Sequence, residues 1–70
     1  MLLIYAPKNQ ELKIIKVLAS DKLKKRLGDL GILPDEKITL LNSTDGSVIC
    51  LIKEGRLALD NETASKILVA

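Results

Sequence analysis

The stretch RLGDLGILPDEK, residues 26–37, constrains the fold of this chain more than any other. Just before and within it, Leu23, Leu27 and Leu30 recur at i, i+4 and i+7, the spacing that lines one face of a helix. Lys22, Lys25 and Asp29 fall on the opposite face. Ser20 or Asp21 can supply the N-cap oxygen, and Asp21 can pair with Lys25 one turn on. The helix then has to stop. Gly31 stands where a left-handed residue past the helix end is wanted, a conformation that glycine takes without a side-chain penalty. With Gly31 at C′, Ile32 is C″ and Leu27 is C3, the two apolar positions that meet in a Schellman motif. Pro34 forbids continuation and holds Leu33 extended. Gly28 lies inside the helix at a cost of roughly 0.5–1 kcal/mol relative to Ala, which close packing of the helix on a strand would explain.

On both sides of this helix the period is two. LKIIKVLA, residues 12–19, is short, β-branched and reads as a strand. After Pro34, EKITLLN sets Ile38 and Leu40 on one side. Asp45-Gly46 is the dipeptide of a type I′ hairpin turn, in which both central residues need positive φ. SVICLIK returns with Val48, Cys50 and Ile52 on one face. Glu54-Gly55 predicts a second tight turn into RLALD, where Leu57 and Leu59 point the same way. Asp60 or Asn61 then caps a helical turn in NETASK, and ILVA closes the chain as a short strand. The expectation is one all-β domain over residues 1–70. It is a small barrel of about five strands, with one helix between the first two and a short helical turn before the last.

Seventy residues bury only about 60% of the surface their unfolded chain exposes, so stability is modest. The core must be aliphatic, because Tyr5 is the only aromatic residue. The net charge of 11 − 9 = +2 is too small to mark a nucleic-acid binder by itself. Cys50 is the only cysteine, which rules out an intrachain disulfide and suits a reducing compartment. The opening MLLIYAPKN lacks the basic region and the apolar length of a signal peptide, and no stretch approaches the ~18 apolar residues of a membrane span. A soluble, cytoplasmic protein that starts at its own methionine is expected.

The order of these elements, with L-x-x-L-G-[ILM]-x-P ending the helix and L-A-L before the last helical turn, resembles the FeoA family. The matching residues are Leu27, Leu30, Gly31, Ile32, Pro34, Ile38, Leu40, Leu57, Ala58, Leu59, Ala64, Ile67 and Val69, spread from about residue 12 to 69. The resemblance implies an SH3-like barrel. It also implies a small cytoplasmic accessory of FeoB, the membrane ferrous-iron transporter with a cytosolic GTP-binding domain. The same domain type closes iron-dependent repressors of the DtxR kind, but this chain lacks their helix-turn-helix and metal-binding portions. Three positions depart from the family pattern. Asp35 follows Pro34 where the family usually has glycine, which is expected to move the turn from type II to type I. Asp60 stands where an arginine often follows L-A-L, and STDGS is shorter than the usual hairpin loop.

The chain offers surface for contact more than groups for chemistry. Cys50 sits between Val48 and Ile52 and reads as a core thiol. Without His, and with its acids at turns and caps, the chain has no ligand set for Fe²⁺, so transition-metal binding stays a family-level association. No serine has a histidine base and no glycine-rich phosphate loop is present, so no catalytic or cofactor-binding residue is assigned. A proline-rich peptide would need an aromatic groove that Tyr5 alone cannot build. Lys22, Lys24, Lys25 and Arg26 form a basic cluster, either a solvated face or a docking face for an acidic protein surface or an anionic leaflet. Leu2, Leu3 and Ile4, and Leu41, Ile49 and Leu51 on the face opposite the strand core, are either further core or an exposed apolar patch. Lys22, Lys25, Arg26, Leu41 and Leu51 are the candidate partner contacts, with weak self-association as a further expectation. A nucleic-acid or regulatory module on the same barrel is the alternative to a transporter accessory.

Overall fold

The computed structural model describes all of residues 1–70. Its backbone is organised by β1 (Glu11–Val17), which changes partner halfway along. The first half pairs antiparallel with β2 (Lys37–Ser43), Leu12 facing Ile38. The second half pairs antiparallel with β5 (Ile67–Val69), from Ile14 facing Val69 to Val17 facing Ile67, with a bulge at Ile15 within that pairing. A strand that bends at a bulge and serves two sheet halves is how a small barrel turns its corner. Hairpins then add β3 (Ser47–Ile52) and β4 (Gly55–Asp60), giving the order β4-β3-β2-β1-β5. The first strand starts one residue before the expected 12–19 and ends two residues earlier.

Fifteen buried side chains, all apolar, fill the interior. The alternating residues of β2 and β3 supply five of them, Ile38 and Leu40 from β2 and Val48, Cys50 and Ile52 from β3. Leu59 of β4 is buried and Leu57 packs on the edge of the cluster. Leu3 was one of two open readings in the sequence, and it is fully buried at the start of a 3-10 turn, Leu3–Tyr5. Met1 and Leu2 run beside β5, with Val69 N–H donating to Met1 O at 2.7 Å, so that edge of the sheet is covered.

The helix stop forms as the sequence dictates. α1 (Asp21–Asp29) is capped by Ser20, whose hydroxyl accepts from Leu23 N–H at 3.3 Å. At the far end Gly31 has φ +100, Gly31 N–H donates to Gly28 O at 3.0 Å and Ile32 N–H to Leu27 O at 2.9 Å. These are the two bonds of a Schellman motif. Two details differ from expectation. Lys25 lies 4.0 Å from Asp29 and not beside Asp21. Gly28 is crowded by the Leu33 side chain, 3.0 Å from where a Cβ would sit, and not by a strand.

The turn after the helix keeps the geometry that the aspartate was expected to remove. Glu36 N–H donates to Leu33 O at 3.2 Å, with Pro34 in the second position and Asp35 in the third at φ +72. That is a type II turn with aspartate in the left-handed place. It is held because its far end joins the sheet. Asp35 N–H donates to Ile14 O and Ile14 N–H to Glu36 O, both at 2.8 Å. Aspartate tolerates this region better than most residues but still costs something relative to glycine. Asp35→Gly is therefore expected to stabilise the domain by up to about 1 kcal/mol, less what the freer unfolded chain takes back. A urea midpoint below that of the parent chain would refute it.

Both hairpins differ from the dipeptides that announced them. Neither Asp45 nor Gly46 has positive φ, so no type I′ turn forms. The loop is closed by Thr44, whose N–H donates to Ser47 O at 2.8 Å and whose hydroxyl accepts from Ser47 N–H at 3.2 Å. It is also tied to α2 (Asn61–Ala64), because Asn61 Nδ2 donates to Asp45 O at 3.0 Å. Tertiary bonds here override the local turn preference. In the second hairpin Ile52 pairs with Gly55, so Lys53-Glu54 makes the turn and Gly55, at φ +124, follows it. α2 is capped by Asp60, whose Oδ1 accepts from Thr63 N–H at 2.7 Å.

Candidate docking surfaces

Packing disposes of the one thiol. Cys50 is fully buried, its Sγ–H donates to Leu57 O at 3.4 Å, and burial pushes its pKa up to about 11. A thiol held neutral in this way is a poor nucleophile and a poor metal ligand. The carboxylates stand singly. Glu11 lies 3.5 Å from Lys37, and Glu62 lies 3.6 Å from Lys66. Asp60 is held below the usual aspartate range by its hydrogen bonds from Thr63.

Three of the four basic residues of α1 line one stripe, with Lys24 off to its side. Lys22, Lys25 and Arg26 are all exposed, and the stripe ends at Asp29. The Lys25–Asp29 pair is open to water on both sides and is worth at most a few tenths of a kcal/mol, so the stripe stays positive. Arg26 lies on the rim of a cleft of about 210 Å³ between α1 and β4. Leu23 and Leu30 form the helical wall, with Ala58 and Asp60 opposite and Thr63 at the end. Leu30 belongs to the expected buried stripe, yet it is 47% exposed. Leu27 is the one residue of that stripe to be fully buried, while Leu23 packs half-buried against the core.

The apolar candidates sit elsewhere. Leu41 is the extra residue of a bulge between Leu40 and Asn42 and is half-buried. Leu51 is 43% exposed on the outer face, opposite Thr39 on one side and Arg56 on the other. It borders a second cleft, of about 360 Å³, with Glu11, Lys37 and Lys53 around it. The structure thus does not bring the basic stripe and Leu51 into one cleft. What joins them is the cross-strand pairing of Ile49 with Ala58, next to that of Leu51 with Arg56. Ala58 was singled out only as part of the L-A-L motif. The alternation of β4, which turns Leu57 and Leu59 inward, is the signal that places it outward.

A model of the FeoA domain matches residues 1–70 in full. The chain belongs to the FeoA family. A comparison with curated proteins finds no match. Solved structures do. An iron uptake regulatory protein, FeoA, superposes with a TM-score of 0.89 at 18% identity, covering 99% of this chain and 93% of that one. FeoA of Chlorobium tepidum gives 0.87 at 21% identity, over 99% and 68% of the two chains. Iron(II) transport protein A of Clostridium thermocellum gives 0.89 at 22% identity, but this chain spans only 44% of its length. Such identities speak for the fold alone, an SH3-like barrel. The family links the chain to ferrous iron transport, and no helix here is long and apolar enough to cross a membrane.

Proposed function

We propose that this FeoA domain is a cytoplasmic accessory of ferrous iron uptake that binds the cytosolic part of a FeoB-type transporter and performs no chemistry of its own. The observation that carries the reading, beside family membership, is the positive stripe of Lys22, Lys25 and Arg26 on the rim of the Leu23–Leu30–Ala58 cleft. Long-range charge raises the rate of encounter with an acidic surface, and the apolar cleft then sets how long the complex lasts.

The test is binding kinetics on a purified transporter cytosolic domain, at low and high salt. Reversing Lys22, Lys25 and Arg26 to Glu is expected to slow association several-fold at low salt and to flatten its salt dependence. Leu30→Ser and Leu51→Ser are expected to speed dissociation instead. Leu51 is a cleaner probe than Leu41, whose half-buried place in the bulge ties it to the sheet. Absence of binding at any salt would sink the proposal. An association rate indifferent to the charge reversal would reduce the basic stripe to a solvated face.

A further inference from the structure

Of the two outer edges of the sheet, one is closed and one is not. Met1 and Leu2 cover β5, whereas no strand pairs with the outer side of β4. The phase of β4 follows from its register with β3 and from a backbone bond just past the end of that pairing. Asn61 N–H donates to Gly46 O at 3.1 Å, and Leu57 O faces the Cys50 thiol on β3. In an antiparallel ladder, bonded and non-bonded pairs alternate. Leu57 and Leu59 therefore spend their N–H and C=O groups on β3, while those of Arg56 and Ala58 and the N–H of Asp60 point away from the sheet; the Asp60 C=O turns into α2 as its N-cap carbonyl. α1 flanks this edge across a cleft of about 210 Å³, with Leu23 and Leu30 on one wall and Ala58 and Asp60 on the other.

An open edge with three outward N–H donors and two outward C=O acceptors is a template for one more strand. The side chains along it narrow the choice of strand. Arg56, Ala58 and Asp60 are all exposed, Arg56 has no ion-pair partner, and Ala58 is small. Read antiparallel about Ala58, the edge is complementary to itself. Arg56 of one copy stands opposite Asp60 of the other, Ala58 opposite Ala58, and Asp60 opposite Arg56. All three pairs fall in the bonded phase, Ala58 exchanging two bonds with its copy and each Asp60 N–H donating to the Arg56 C=O opposite, so backbone register and charge register coincide. We propose that β4 pairs with β4 of a second copy of this chain about a two-fold axis through Ala58, joining two five-stranded sheets edge to edge. Opposite charges facing one another across neighbouring strands favour this register, and like charges would disfavour a shifted one. The paired strip is short and polar, so the dimer is a weak one that forms as concentration rises and not an obligate one.

The experiment is sedimentation of the whole chain from micromolar to millimolar concentration, with amide exchange read by NMR at both ends of the range. The apparent mass is expected to double. The N–H groups of Ala58 and Asp60 should exchange fast in the dilute sample and slow several-fold in the concentrated one, while those of Leu57 and Leu59 stay protected in both. Ala58→Pro removes a central outward donor and spares the ladder to β3, a position where an edge strand tolerates proline. Arg56→Asp sets two aspartates opposite one another at each end and touches nothing buried. Both are expected to remain monomeric throughout. If Ala58→Pro fails to fold, Arg56→Asp decides alone. A parent chain that stays monomeric at millimolar concentration overturns the proposal. So does a dimer that Arg56→Asp forms as readily as the parent, or one whose protection appears elsewhere. Protection of these N–H groups only by a transporter segment, with none from self-association, would assign the edge to that partner and refute the dimer.

Discussion

Gly31→Val is expected to lower the stability of the domain by about 2–4 kcal/mol. At φ +100 the backbone is outside the range that a β-branched residue adopts without strain. Space is short as well. A Cβ at Gly31 would lie 2.7 Å from Glu54 Oε2 and 3.3 Å from Ile52 Cδ1. The Glu54 carboxylate ends a flexible exposed chain and can move aside, but Ile52 belongs to the core. Relaxing φ instead would break the bonds from Gly31 to Gly28 and from Ile32 to Leu27, and Ile32 is itself almost fully buried. The helix end, the core and the turn into β2 therefore resist the substitution together. A domain of this size has roughly 4–10 kcal/mol of stability in total, at 0.05–0.15 kcal/mol per residue, so the loss is a large fraction of it. Urea unfolding measures it, with Gly31→Ala as the milder control, which carries the same φ but lacks the branch. Equal midpoints for all three proteins would refute the account.

Gly31 was legible because its constraint is local. A helical stripe, a glycine at C′ and a proline three residues on leave one economical backbone path, whatever the rest of the chain does. The inward faces of β2 and β3 were legible for the same kind of reason, since period two alone sorts Ile38, Leu40, Val48, Cys50 and Ile52 from their neighbours. Asp45-Gly46 misled because a turn preference is worth little beside tertiary bonds. Asn61, sixteen residues on, holds the loop carbonyl of Asp45 in place. Asp35 misled in the opposite direction. The sheet bonds of Ile14 to Asp35 and Glu36 demand the type II path, and aspartate follows it.

The site was legible in parts. The basic residues of α1 were visible as a cluster, and Leu51 as an outward leucine. Their arrangement was not, because it depends on how α1 sits against β4. That placement leaves Leu30 half in water and Arg26 in the lining of the β4 cleft, while Leu51 lies beside another one. No periodicity within the helix encodes its distance from an edge strand. The open edge itself was equally hidden. Which of five strands ends a sheet is decided by pairing order, and the coverage of β5 by Met1 and Leu2 is a contact between opposite ends of the chain.

Leu3 carries the other large expected effect. Leu3→Ala is expected to cost about 2–5 kcal/mol, the range for truncating a fully buried leucine whose surroundings cannot close over the gap. Leu3 is completely buried, and two supports hold it there. The 3-10 turn is fixed by Tyr5 N–H to Leu2 O and Ala6 N–H to Leu3 O, each at 3.0 Å, and the preceding residues pair with β5. Those backbone bonds do not depend on the side chain, so the segment stays in place and leaves a void instead of collapsing to fill it. Two residues on, Tyr5 is 76% exposed and makes no side-chain hydrogen bond, so Tyr5→Ala is expected to change stability by less than about 0.5 kcal/mol. The contrast is the test. If the opening segment were an incidental apolar tail, the two substitutions would behave alike under urea, and both would be nearly silent. A steep loss for Leu3→Ala with none for Tyr5→Ala would place the first turn of the chain in the single core that all five strands share.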